Sequence, residues 1–199
     1  METLNLHFFL WLSRGAGQQP LVDRLAIFFA DMGPYLLMAS LILFWFLAEN
    51  QRRAALLEAT EAGGLGLLLN QLLGLLYFHP RPFMLGLVDP LIKHVPENSF
   101  PSDHASLMLS VALYLLCWQS WRRQGLVLFC FAVATAWGRV YAGLHFPFDM
   151  VGSLAIAGLS VGMVRSQRRL LEPINLWLVN LYPQIVSLLK GVAGLKTEE

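Results

Sequence analysis

Residues 122–149 read RRQGLVLFCFAVATAWGRVYAGLHFPFD. Arg122 and Arg123 precede an apolar stretch from about Gly125 to Leu144, and the stretch ends among Arg139, His145 and Asp149. A bilayer-spanning helix needs about 20 apolar residues, so the segment predicts a membrane helix with one basic end and one end rich in ionisable groups. Such groups are costly at membrane depth and mark functional sites by default. Pro147 suits the first turn of a following helix. That puts Asp149 in an opening turn, where the helix dipole favours a carboxylate. A carboxylate four residues after His145 can accept its ring N–H, which fixes the tautomer and leaves the other nitrogen free to act as a nucleophile.

The same pattern extends in both directions. Further spans are expected from about Leu25 to Leu47, Ala54 to Phe78, residue 104 to Trp121, and Pro147 to Val164. Of the 199 residues 56% are hydrophobic and 14% charged, against about 25% charged in a soluble domain. Arg52 and Arg53, Arg122 and Arg123, and Arg165, Arg168 and Arg169 follow alternate spans. The positive-inside rule makes these ends cytoplasmic and the 79–104 and 139–149 loops extracytoplasmic. Leu4 to Leu12 reads as an interfacial helix too short to span. Residues 174–191 are either a sixth span or a deeply inserted amphipathic helix.

The expected fold is therefore all-α, a polytopic membrane helix bundle of five or six transmembrane helices with an extracytoplasmic active site. It forms a single domain over 1–199, with its core at about 21–165, an interfacial N-terminus at 1–20 and a C-terminal helix and tail at 170–199. Met1 to Leu12 lacks the basic region and cleavage site of a signal peptide. The formal net charge of +1 argues against a nucleic-acid partner. Cys117 and Cys130 lie in apolar segments and are expected to be buried and unpaired. No Cys/His spacing points to a metal.

Two more polar clusters sit at the ends of apolar runs. His79-Pro80-Arg81-Pro82 holds an arginine on a stiff turn between prolines. Phe100-Pro101-Ser102-Asp103-His104 opens a helix, with Ser102 or Asp103 as N-cap and amide groups available to an anion. Each cluster alone is explained by capping or a solvated loop. Together they bring Arg81, His104, Arg139 and His145 to one membrane face, and arginines beside imidazoles suit phosphate chemistry.

In order and spacing these residues resemble the type-2 phosphatidic acid phosphatase superfamily, whose pattern is Lys-x6-Arg-Pro, then Pro-Ser-Gly-His, then Ser-Arg-x5-His-x3-Asp. Arg81-Pro82, Pro101-Ser102-x-His104 and Arg139-x5-His145-x3-Asp149 match it over roughly residues 70–153. The HPRPF and FPSDH strings look most like BcrC-type undecaprenyl-diphosphate phosphatases. Gly74, Asp103 and Gly138 depart from the pattern at its lysine, glycine and serine. His79 or Lys93 is a candidate to replace the lysine charge, and Asp103 to pair with an arginine or place His104.

The resemblance implies hydrolysis of a membrane-held polyprenyl diphosphate without metal or cofactor. His145 would be the nucleophile, Asp149 its orienting group and His104 the acid and base. Arg81, Arg139, Ser102, Asp103 and His79 would lie at the phosphate. Ser102 either donates to phosphate or only caps its helix. Glu97 is either an arginine partner or loop-exposed, and Asn70 and Gln71 either bond between helices or line the site. The implied setting is the bacterial inner membrane, with carrier-lipid recycling for peptidoglycan and resistance to bacitracin. Alternatives are a family member acting on phosphatidylglycerophosphate, phosphatidate or lipid A and, remotely, a proton-coupled transporter.

Overall fold

The apolar residues of the second helix lie on its outside. This helix, α2 (Pro20–Leu47), follows a short α1 (Glu2–Ser13). Leu21, Leu25, Phe28, Met32, Tyr35, Ile42 and Phe46 are exposed, at helical spacing along one stripe. Ala26, Ala30, Gly33 and Leu37 form its buried stripe. A large apolar exterior over a small-residue interior is the arrangement of a helix in lipid. The computed structural model describes residues 2–192, and side chains as far as Ser187.

The remaining helices are α3 (Asn50–Leu76), α4 (Asp103–Leu116), α5 (Arg122–Tyr141), α6 (Pro147–Ser166) and α7 (Arg168–Val192). Short 3-10 turns cover Pro82–Leu85 and Gln119–Trp121. Central α4 packs against α3, α5 and α6, and α2 packs outside α5. Its buried serines tie it to its neighbours. Ser160 Oγ donates to Ser110 Oγ at 3.0 Å, Ser153 Oγ to Ser102 O at 3.1 Å, and Asn70 Nδ2 to Ser106 Oγ at 3.0 Å. No strand occurs among the described residues.

Three helices, Pro20–Leu47, Gln119–Tyr141 and Pro147–Ser166, are long and apolar enough to cross a membrane by themselves. The other two expected spans differ for identifiable reasons. Helix α3 carries Arg52, Arg53, Glu58 and Glu61 in its first half. Helix α4 is apolar but only 14 residues long, about 21 Å. Cys117 and Cys130 are unpaired but exposed, a correction to their expected burial. A cysteine in an apolar helix can face outward where the surroundings are lipid.

Helix α1 sits at the cluster-bearing end of the bundle. Phe9 is fully buried with its ring 5.2 Å from that of Phe146, and Asn5 Oδ1 accepts from Phe148 N at 3.0 Å. Helix α7 lies at the other end. Arg168 Nε donates to buried Glu58 at 3.2 Å, and Tyr182 meets Trp45 edge to face at 5.7 Å and lies under Arg53 at 4.5 Å. From 168 to 182 it stays at that end, a course that fits the amphipathic helix of the two expectations.

Candidate active site

A loop clamp holds Arg81 in place. Asn98 Nδ2 donates to Tyr77 O at 3.1 Å and Phe100 O at 2.9 Å, while its Oδ1 accepts from His79 N at 2.7 Å. Gly74 explains itself here, since a Cβ would lie 3.3 Å from Asn98 Nδ2. Any side chain at that position presses on the clamp.

Arg81 is buried, and both of its terminal nitrogens are engaged. Nη1 donates to Leu144 O at 3.1 Å and to His145 Nε2 at 3.0 Å, and Nη2 to Glu97 Oε1 at 3.0 Å and Asn98 O at 3.2 Å. Burial lowers its pKa against the pull of Glu97 and Asp149. Glu97 satisfies both expectations, being paired with Arg81 and 55% exposed.

The tautomer of His145 follows from its neighbours. A guanidinium can only donate, so Nε2, facing Arg81, carries the lone pair. Nδ1 therefore carries the proton, which goes to Ser99 O at 2.8 Å, with Asp149 Oδ2 at 3.3 Å. Asp149 Oδ2 also accepts from Phe146 N at 2.8 Å and from the hydroxyl of Ser99. Burial, helped by Arg139 and Arg81, outweighs Asp149 and pushes the imidazole down to about 3. At neutral pH His145 thus presents an unprotonated Nε2.

Arg139 depends on a proline in another helix. Pro34 has no N–H for the Ala30 carbonyl four residues earlier. Arg139 Nη1 donates to that carbonyl at 3.3 Å, and Nη2 to His94 Nε2 at 3.3 Å. Gly138, where the family pattern has serine, lets α5 approach α2 at this point, because a Cβ would meet Ala26 O at 2.6 Å. Pro34→Ala supplies a competing N–H and is expected to lower turnover several-fold with the thermal midpoint unchanged or raised. Steady-state rates beside a melting curve check it, and unchanged turnover would remove Pro34 from the positioning of Arg139.

One cavity of about 320 Å³ gathers these groups. Arg81, Arg139, His104, His145, His94 and Asp103 are among the side chains lining it. His104 makes no hydrogen bond to another described residue, so its ring is free to serve a ligand. Asp103 lines the cavity, but its carboxylate is held by Asn70 at 2.9 Å and Gln71 at 3.2 Å and reaches neither arginine. Asn70 and Gln71 thus bond between helices and also line the site.

Two residues expected at the phosphate do not line the cavity. Ser102 is fully buried as the N-cap of α4, its Oγ accepting from Ala105 N. His79 lies behind Asp149, with Nδ1 3.3 Å from Oδ1 at ion-pair distance, although neither atom makes a hydrogen bond among the described residues. Lys93 is exposed, and its neighbour His94 turns inward instead. Burial and the two arginines lower the pKa of His94. His94 and Ser99 were not legible, since neither stands in a motif and Ser99 acts largely through its carbonyl. No group of three or more His, Cys, Asp and Glu among the described residues is disposed to hold a metal.

Chemically, the cavity offers a neutral imidazole with an unprotonated Nε2, a second free imidazole and two buried guanidiniums. That set suits transfer of a phosphoryl group. The PAP2 superfamily profile matches residues 55–171. The chain is 32% identical over 168 residues to YbjG of Escherichia coli (strain K12), covering 84% of this chain and 83% of that one. It is 31% identical over 166 residues to the undecaprenyl-diphosphatase BcrC of Bacillus subtilis (strain 168), covering 83% and 85%. Its structure is similar to that of Aquifex aeolicus LpxE, with a TM-score of 0.69 and 27% identity over 82% of this chain and 95% of the other.

Proposed function

This chain belongs to the PAP2 superfamily and is a phosphatase, and on that premise we propose that it hydrolyses undecaprenyl diphosphate to undecaprenyl phosphate through a phosphohistidine at His145. The observation that carries the proposal is the lone pair of His145 Nε2, fixed at the wall of a cavity that also holds His104, Arg81 and Arg139. The polyprenyl substrate is favoured by similarity to a protein named undecaprenyl-diphosphatase over most of both chains.

His145 Nε2 attacks the terminal phosphorus as the bond from phosphorus to the bridging oxygen breaks. Arg81 turns from Nε2 to the equatorial oxygens, beside Arg139, where charge must be stabilised. His104, which takes up a proton as the anionic diphosphate binds beside it, gives that proton to the departing lipid phosphate. It then takes one from the water that cleaves the P–N bond and releases phosphate. Asp149 and Ser99 hold the proton-bearing side of His145.

In the proposed topology α2 to α6 all cross a bacterial inner membrane. The arginine-rich ends of α3, α5 and α6 face the cytoplasm, and the cavity faces the periplasm or exterior. This placement fits recycling of the peptidoglycan carrier lipid and opposition to bacitracin.

Phosphate release by purified protein in detergent with EDTA tests the reading, with phosphatidylglycerophosphate, phosphatidate and lipid A as rival substrates. Preference for a rival would move the assignment to that lipid, and no release from any would reject phosphatase action at this cavity. Arg139→Lys keeps the charge but loses the planar fork. It is expected to cost on the order of 10²-fold in turnover, and near-normal turnover would refute the clamp role of Arg139.

A further inference from the structure

At the far ends of α4 and α6 from the catalytic cavity lies a second, unrelated pocket of about 300 Å³. It is lined by Tyr114, Cys117, Trp118, Arg165 and Arg168. Its size is at the small end of ligand pockets, which run roughly 300–1,000 Å³. Along the 14 residues of α4 the two sites are about 20 Å apart, so no catalytic role accounts for it.

Three features give this pocket the character of an anion site. Arg168 is oriented rather than loose. Its Nε is held by buried Glu58 at 3.2 Å and its guanidinium lies 4.5 Å over the Trp118 ring, which leaves both terminal nitrogens without a partner among the described residues. Arg165 makes no ion pair among the described residues, so its charge is uncompensated. The indole N–H of Trp118 is buried without a well-formed hydrogen bond among them; it lies beside the hydroxyl of Tyr114, which donates to Glu58 at 2.6 Å, and a phosphate would give it a stronger acceptor than that shared hydroxyl.

We propose that this pocket binds the phosphate headgroup of an anionic phospholipid in the leaflet away from the catalytic cavity. A phosphate there would accept from Arg165, from the free side of Arg168 and from Trp118. The acyl chains would lie along the exposed apolar faces of α5 and α6, where Leu126, Val127, Leu154 and Leu159 face outward. Basic pockets between membrane helices hold lipid headgroups by this chemistry. The source is a lipid rather than free phosphate because the pocket sits at the end of helices whose outer faces are apolar. Glu58 neutralises part of the charge of Arg168, so Arg165 dominates the anion's attraction.

The full chain in detergent, titrated with phosphatidylglycerol or phosphatidylcholine and followed by native mass spectrometry and thermal unfolding, tests the site. Glycerol phosphate provides the soluble arm. The expected result is retention and thermal stabilisation with phosphatidylglycerol only. Arg165→Gln should weaken retention about five-fold. Trp118→Phe, which keeps the ring under Arg168 and removes the N–H, should weaken it as well. Equal response to both lipids, or undiminished retention in either variant, would overturn the site. Stabilisation by glycerol phosphate as large as by the lipid would overturn the lipid as its occupant. Because the readout is binding at the other end of the bundle, it is independent of which substrate the catalytic cavity accepts.

Discussion

His145→Ala is expected to reduce phosphate release by about 10⁴-fold or more, because it removes the atom proposed to accept the phosphoryl group. The variant should still fold and insert. The lost hydrogen bond to Ser99 O sits in a loop that Asn98 clamps independently, and Asp149 keeps its bonds from Phe146 N and from the hydroxyl of Ser99. Truncation also leaves Arg81 Nη1 bonded to Leu144 O, so the guanidinium is not stranded. Substrate should therefore still bind. The measurement is a single-turnover assay with labelled terminal phosphate, quenched in alkali, in which a phosphohistidine survives. Wild type should carry label on the protein and the variant none. Labelled protein from the alanine variant would move the nucleophile elsewhere, and turnover within ten-fold of wild type would end the covalent mechanism.

The helices and the third cluster were legible because both rest on local rules. Apolar runs with arginines at alternate ends mark the bundle. His145, Pro147 and Asp149 fall in the loop and first turn before α6, where the i, i+4 relation brings imidazole and carboxylate together. The limits of legibility were also physical. Ser102 satisfies both the capping rule and the anion rule, and only the packing of Ser153 against it shows that the cap is buried. Asp103 read as a partner for an arginine or a support for His104 because its actual partners, Asn70 and Gln71, lie more than thirty residues earlier in the chain. Pro34 lies inside the long apolar helix α2. Its relation to Arg139 appears only once α2 and α5 pack, which Gly138 permits. Spacing along a chain reports contacts within one helix, whereas these contacts join different helices.

His104→Ala is expected to lower turnover by about 10²- to 10⁴-fold, and the size of the first-step defect should depend on the leaving group. The ring of His104 lies at the cavity wall without a partner among the described residues, at the start of α4, while His145 is locked from behind by Ser99 and Asp149. The two imidazoles are therefore not interchangeable, and His104 is the one free to move a proton. The alkoxide that leaves a phosphate monoester such as phosphatidate is a poor leaving group and needs that proton. A nitrophenolate leaves readily without one. With p-nitrophenyl phosphate the first step of the variant should approach the wild-type rate, seen as a burst of nitrophenol. The second step should stay slow, because no base activates the water, so phosphoenzyme should accumulate. An equal first-step defect for phosphatidate and p-nitrophenyl phosphate, with no burst, would assign His104 to binding the phosphate rather than to proton transfer. The same pair of substrates separates the arginines from the histidine, since a lost clamp slows the first step of both reactions alike and a lost acid slows it only for the one that needs a proton.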